Sequence, residues 1–229
     1  MKIVEIFDSI QGEGTLIGAP MVFIRLFGCN MKCAWCDTKY SWGENANRED
    51  LMEFGSSELI DILLSKYLNT RWINFTGGEP TLWAEEIIEV INKMKDKGKL
   101  FSIQTNGKLW KEELFNIINK ICMDFKCPSS QEESNLAFMT KLGPEDEAKF
   151  VIRDEGDFNY FKQAIVQYST KATIVIQPVM DPSDTMEEYF THIRWLVEKS
   201  RELKLDQSKY NYRILPQYHQ LLWRNKKGI

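Results

Sequence analysis

Long apolar runs are missing from this chain. No stretch of about 18 uninterrupted apolar residues occurs, which excludes a hydrophobic membrane-spanning helix. The opening Met-Lys-Ile-Val-Glu-Ile-Phe also lacks the apolar core of a signal peptide. Basic excess is missing too: the net charge is −4, so there is no electrostatic footprint for nucleic acid as a main partner. Histidine is scarce, with two in 229 residues. Beyond one cysteine cluster, His192, His219, Cys122 and Cys127 are the remaining soft donors, a poor supply for a four-ligand structural zinc site. The five cysteines are odd in number and three sit together. That argues against a disulfide framework and for reduced thiols in a cytoplasmic protein.

What is present is an α/β pattern. Hydrophobic content of 43% with 27% charged residues suits an ordinary globular domain, and the length allows one substantial core. Strands are expected at Lys2–Phe7, Met21–Phe27, Arg71–Thr76, Phe101–Thr105, Ile121–Lys126, Ala148–Arg153 and Ala172–Gln177. Helices are expected at Ser57–Leu68 with serine as its cap, Leu82–Lys97 closed by Gly98, Trp110–Asn119, Phe158–Tyr168 and Thr185–Leu203. Asp8 to Thr15 reads as a glycine-rich turn, and Pro128 to Glu147 as an irregular loop over one face. No linker divides residues 1–229, so a single domain is expected. Six or so strand–helix units make an incomplete TIM-like barrel with a mostly parallel sheet, whose sites form at the carboxyl ends of the strands.

Chemistry concentrates at those ends. Cys29, Cys33 and Cys36 lie in Gly28-Cys-Asn-Met-Lys-Cys-Ala-Trp-Cys-Asp37, directly after a strand. Three thiolates at this spacing can hold three corners of an iron–sulfur cube and leave the fourth iron open. Gly77-Gly78-Glu79-Pro80 follows another apolar strand; adjacent glycines let backbone approach a ligand, and a glutamate there could receive an ammonium group. Arg25 stands among Phe23, Ile24, Leu26 and Phe27, and its planar fork suits a carboxylate. Gln11, Glu13 and the backbone at Ile10 and Gly12 offer donors and acceptors suited to a heterocycle edge.

The cysteine loop and the Gly-Gly-Glu turn together resemble the radical S-adenosylmethionine enzymes, with their β6α3-type partial barrel. Within that superfamily, Ser9-Ile10-Gln11-Gly12-Glu13-Gly14, Phe23-Ile24-Arg25-Leu26, Cys36-Asp37-Thr38 and Arg213 to His219 are similar to the 7-carboxy-7-deazaguanine synthase family, in order and spacing, over nearly the whole chain. The resemblance implies a 4Fe–4S cluster on Cys29, Cys33 and Cys36, and S-adenosylmethionine on its open iron. Cofactor contacts are implied at Trp35, Asp37, Gly77, Gly78, Glu79, Gln104, Asp124, Phe125, Lys126 and Gln177. Asp124-Phe125-Lys126 stands where many members read Ser-Pro-Lys, so the lysine is kept and backbone contacts are expected beside it. Thr38 is implied as a ligand of Mg2+. Pterin contacts are implied at Ile10, Gln11, Gly12, Glu13, Arg25, Thr76, Gln217 and His219, with the terminal carboxylate of Ile229 in reach. No side chain is expected to be catalytic beyond the cluster and cofactor.

The implied reaction is the radical ring contraction of 6-carboxy-5,6,7,8-tetrahydropterin to 7-carboxy-7-deazaguanine, with loss of ammonia, in queuosine and deazapurine biosynthesis. A homodimer and an electron donor such as flavodoxin or ferredoxin are implied as well. Two alternatives stand beside this reading. A glycyl-radical activase shares the cysteine spacing but needs an open groove for a protein substrate; a non-catalytic electron carrier needs only the cluster. Cys122 and Cys127 read as structural, and His192 as a packed or surface residue.

Overall fold

Short apolar runs bounded by glycine, asparagine and aspartate fold as strands, and all of them join one sheet. The computed structural model describes residues 1–43, 51–181, 183–203, 209–224, 226 and 228. Its strands are β1 (Lys2–Ile10), β2 (Pro20–Leu26), β3 (Met52–Glu53), β4 (Trp72–Gly77), β5 (Leu100–Thr105), β6 (Lys120–Asp124), β7 (Glu147–Ile152), β8 (Thr173–Pro178) and β9 (Tyr212–Ile214). The helices are α1 (Ser56–Lys66), α2 (Ala84–Met94), α3 (Glu112–Phe115), α4 (Glu155–Gln167), α5 (Met186–Glu202) and α6 (Tyr218–Trp223). The sheet order is β3-β1-β2-β4-β5-β6-β7-β8-β9. β1 runs antiparallel to β2 and β3, and from β2 through β4 to β9 every pairing is parallel. Among the described residues β3 and β9 have no strand on their outer sides, so the sheet is open, as an incomplete barrel requires. Among the described residues no helix is long and apolar enough to cross a membrane.

The two faces of the sheet divide by the period of two along each strand. Ile73 and Phe75, Phe101 and Ile103, Ile121 and Met123, and Phe150 and Ile152 point outward into the main core. There they meet Leu59 and Leu63 of α1, Ile87, Val90 and Met94 of α2, and Phe158 and Phe161 of α4, all buried. Each such side chain contributes roughly 1.5–3 kcal/mol by leaving water. The alternate residues, among them Thr76, Gln104, Asp124, Lys149 and Gln177, face the concave side. Polar residues were thus spared the core by register, and gathered on one wall.

Several expected boundaries move. β1 continues to Ile10 because Asp8, Ser9 and Ile10 pair with Val22, Met21 and Pro20, so the glycine-rich turn starts later. The cap of α1 is Gly55 rather than Ser57; the Glu58 carboxylate accepts from the Gly55 N–H at 2.8 Å. The expected helix over 110–119 shrinks to α3. Its end is pulled into the sheet by Asn119, whose Oδ1 accepts from the Phe101 N–H at 2.8 Å and whose N–H donates to the Phe101 carbonyl at 3.0 Å. The segment over 128–147 contains two short 3-10 helices, Pro128–Ser130 and Leu136–Lys141. β3, β9 and α6 were not anticipated; each is short and carries few buried residues.

Candidate functional site

The concave face of the sheet encloses a cavity of about 230 Å³. Its floor is the row of inward-facing residues at the carboxyl ends of β4 to β8, and its rim is the loop after β2. Parallel pairing sets Leu26 opposite Gly77, so the cysteine loop leaves the sheet beside the Gly-Gly turn. Glycine is required here by close approach. A Cβ on Gly77 (φ +116) would lie 2.4 Å from Leu26 backbone, and one on Gly78 would lie 1.8 Å from the Gly28 carbonyl. The Gly78 N–H donates to the Leu26 carbonyl at 2.9 Å and the Glu79 N–H to the Gly28 carbonyl at 2.7 Å. The turn therefore buttresses the start of the cysteine loop as well as opening space for a ligand.

Cys29, Cys33 and Cys36 are all free thiols on the cavity wall. Burial pushes the Cys33 thiol up to about 11 and raises that of Cys29, so it is a bound cation that would bring out their thiolate forms. The Trp42 indole N–H donates to Cys36 Sγ at 3.3 Å, and Thr38 Oγ1 lies 3.5 Å from the same sulfur. Asn106 Nδ2 lies 3.8 Å from Cys29 Sγ. Trp35 lines the cavity with its indole N–H donating to Ser129 Oγ at 3.0 Å, and Lys126 Nζ lies 5.2 Å above its ring. Among the described residues no three His, Cys, Asp or Glu side chains are grouped to hold a single metal ion.

The opposite wall comes from β1, β2 and α6. Arg25 donates from Nε to Glu5 Oε1 at 2.6 Å, and the Tyr40 hydroxyl donates to the same oxygen at 2.9 Å. Arg25 is thus held in a salt bridge and still lines the cavity. Gln11 Oε1 accepts from the Glu13 N–H at 3.1 Å and from Gln104 Nε2 at 3.4 Å, while Gln104 Oε1 accepts from the Thr76 hydroxyl at 3.1 Å. Glu13 Oε1 accepts from Gln177 Nε2 at 3.0 Å and Gln217 Nε2 at 2.9 Å; Oε2 accepts from Lys149 Nζ at 2.7 Å. Burial alone would raise the Glu13 carboxyl, but the Lys149 and His219 charges hold it far below the usual range. His219 Nε2 lies 3.8 Å from Asp37 Oδ2, and both line the cavity with Ile10, Gly12 and Thr38.

Two of the residues expected to contact the cofactor have side chains that do not line the cavity. Glu79 is fully buried and absent from the cavity wall. Its Oε1 accepts from the Thr81 N–H, Thr81 Oγ1 and Thr105 Oγ1 at 3.0, 2.6 and 2.7 Å, and its Oε2 from the Asn106 N–H at 2.8 Å. With four protein donors on it, the carboxylate clamps β4 to β5. Phe125 is likewise fully buried, stacked on Phe150 at 5.6 Å, which leaves its backbone, between Asp124 and Lys126, as the part available for the expected contact. Cys127 is core, as expected, but Cys122 lines the cavity. His192 lies outside it, with Nδ1 3.1 Å from the Val179 carbonyl. Ile229 lies outside the described residues.

Sequence reasoning missed Lys149, Asn106, Tyr40 and Trp42, all on the cavity wall. Lys149 had a signal: a cation inside the apolar run Ala148–Ile152, on a strand whose every residue is buried.

Comparison with known proteins agrees with this geometry. The sequence model of the radical SAM superfamily matches residues 23–125, the stretch from β2 through β6. The 7-carboxy-7-deazaguanine synthase of Methanospirillum hungatei is 42% identical over 180 residues, covering 78% of this chain and 73% of that protein. That of Thermoplasma acidophilum is 33% identical over 235 residues and covers 100% of both. The chain belongs to the 7-carboxy-7-deazaguanine synthase family. The crystal structure of Escherichia coli QueE shares the fold, with a TM-score of 0.66 at 21% identity over 95% of this chain and 94% of that one.

As a radical SAM family, the 7-carboxy-7-deazaguanine synthases carry a 4Fe–4S cluster and S-adenosylmethionine, and the residues present here fit both. Three free thiols share one loop. Asp124 Oδ1 and Gln177 Oε1, both on the cavity wall, are buried acceptors with no partner among the described residues. Buried acceptors of this kind are costly unless a ligand donor meets them.

Proposed function

We infer that this chain converts 6-carboxy-5,6,7,8-tetrahydropterin to 7-carboxy-7-deazaguanine and ammonia, a step in queuosine and deazapurine biosynthesis. The observation that carries this reading is the convergence of the cysteine loop and Gly77-Gly78 with Gln11, Glu13 and Arg25 on a single cavity. Substrate and products balance with no net oxidation, since only ammonia is lost. Cys29, Cys33 and Cys36 would hold the 4Fe–4S cluster, and Gly77, Gly78, Trp35, Asp37, Gln104, Asp124, Lys126 and Gln177 would hold S-adenosylmethionine. When bound, the two together supply the one-electron chemistry that starts a radical on the substrate.

The chain's own residues bind, orient and exclude water. Gln11, Glu13, Thr76 and the backbone at Ile10 and Gly12 would read the pterin edge. Arg25, fixed through Nε by Glu5, would turn its remaining nitrogens to the substrate carboxylate, two charge-assisted bonds at fixed angle. Gln217 and His219, brought over the cavity by α6, would close it and keep one C–H face toward the cofactor. Thr38 would offer a hard oxygen to Mg2+, whose charge would favour binding of an anionic substrate. A protein-backbone substrate, as for a glycyl-radical activase, would leave Arg25 and the buried Glu13–Lys149 pair without a role.

The chain would act as a single domain in a homodimer, reduced by a flavodoxin or ferredoxin. Its need for reduced thiols suits the cytoplasm. Oxygen-free, cluster-loaded protein given S-adenosylmethionine, a reductant and the carboxytetrahydropterin should release 7-carboxy-7-deazaguanine, read by mass spectrometry. Protein that cleaves S-adenosylmethionine but forms no deazaguanine would overturn the substrate assignment. Replacing Cys33 with alanine should remove both the cluster absorbance and the product.

A further inference from the structure

Lys149 sits in the middle of β7 with 5% of its surface exposed, and two carboxylates from separate walls converge on it. Its Nζ donates to Glu13 Oε2 at 2.7 Å and lies 3.5 Å from Asp124 Oδ2. Asp124 Oδ2 also accepts from Lys126 Nζ at 2.8 Å, and Lys126 lies over the Trp35 ring. A row of alternating charge, Glu13–Lys149–Asp124–Lys126, thus crosses the concave face from the turn after β1 to the end of β6. The outer oxygen of Glu13 is fixed by Gln177 and Gln217; the outer oxygen of Asp124 is buried and has no partner among the described residues.

Buried ions persist only when paired. Without the ammonium, Glu13 would be a buried carboxylate that loses its one ion-pair partner and keeps only the nearby charge of His219, while Asp124 would be left to Lys126 alone. Glu13 would then take up a proton and present a donor where an acceptor had been, and Asp124 would be free to swing toward Lys126.

We propose that Lys149 is a positioning residue, which holds Glu13 toward the pterin end and Asp124 toward the cofactor end of the cavity as fixed anionic acceptors. The proposal rests on the functional reading above. Lys149 acts through its two partners, so its removal reaches both ligands.

The test is binding, measured by calorimetry on cluster-loaded, unreduced protein with the carboxytetrahydropterin and with S-adenosylmethionine. Lys149→Met should weaken pterin binding about 100-fold and cofactor binding about tenfold, since one partner of a buried, hydrogen-bonded charge pair is lost. Lys149→Arg should restore most of both. The double variant Glu13→Gln/Lys149→Met should bind pterin no more than about threefold weaker than Glu13→Gln alone, because coupled residues are not additive. A lysine that only supported the fold would lower the melting temperature, and its effect would multiply with that of Glu13→Gln. Unchanged affinities in Lys149→Met, or multiplying losses in the double variant, overturn the proposal. Should Lys149→Met lose its iron, the double variant, which removes both charges of the pair, carries the same comparison. Wild-type protein that makes no deazaguanine would instead overturn the functional reading.

Discussion

The imidazole of His219 lies across Gly12 so closely that a methyl group on the glycine would sit 2.3 Å from Nδ1 and 2.7 Å from the histidine Cβ. The Tyr218 N–H donates to the Gly12 carbonyl at 2.8 Å, so the turn after β1 and the start of α6 are held together at the cavity mouth. The near end of the histidine is what blocks the space, and turning the ring does not clear it. Gly12→Ala is expected to push α6 outward and lower kcat/KM by about 100-fold, the scale of an ångström's misplacement. Iron content should stay as in the wild type. Steady-state kinetics beside iron analysis checks this.

Glu79 leads to a different expectation, because its carboxylate serves the fold. Glu79→Gln keeps the shape but turns an amide N–H toward groups that are themselves donors. The variant should lose about 1–3 kcal/mol of stability, seen as a lower urea midpoint. A variant as stable as the wild type but deaf to S-adenosylmethionine would return Glu79 to the role of ligand contact.

Arg25→Lys retains the charge and discards the fork. The Nε bond to Glu5 goes with it, and so does the flat cation stacked near the Phe7 and Tyr40 rings at 5.8 and 5.6 Å. KM for the pterin should rise about tenfold or more with little change in the affinity for S-adenosylmethionine. Equal losses for both ligands would contradict a specific role at the substrate carboxylate.

His219 gives a pH dependence. Burial lowers its pKa, but Asp37 and Glu13 outweigh burial and hold it above the usual 6.5. A group raised in the folded state binds protons more readily than in the unfolded chain. Its stabilising contribution is therefore complete below pH 6.5 and is lost as the pH rises through the raised value. Denaturation midpoints should fall from pH 6.5 upward, and His219→Gln should flatten that slope.

The cysteine loop, Gly77-Gly78 and the closing run to His219 were legible from sequence, as was the open, mostly parallel sheet. Each is local: a spacing within ten residues, or a strand followed by its turn. α3 was misjudged in length because the competing partner of Asn119, the backbone of Phe101, lies 18 residues away. The hydrogen bonds that bury Glu79 were hidden for a similar reason. Its position beside two glycines is visible in the sequence, but its four donors come from three residues, two of them 26 and 27 positions on.

The sequence by itself determined which chemistry is on offer: three thiols on one loop, a glycine turn that permits close backbone approach, and polar residues placed at alternate positions along the strands. Only the tertiary structure decided which of those groups face each other. Lys149 and Glu13 meet across 136 residues because parallel pairing fixes the register of β7, and because a buried ammonium must find its counter-charge wherever the fold brings one.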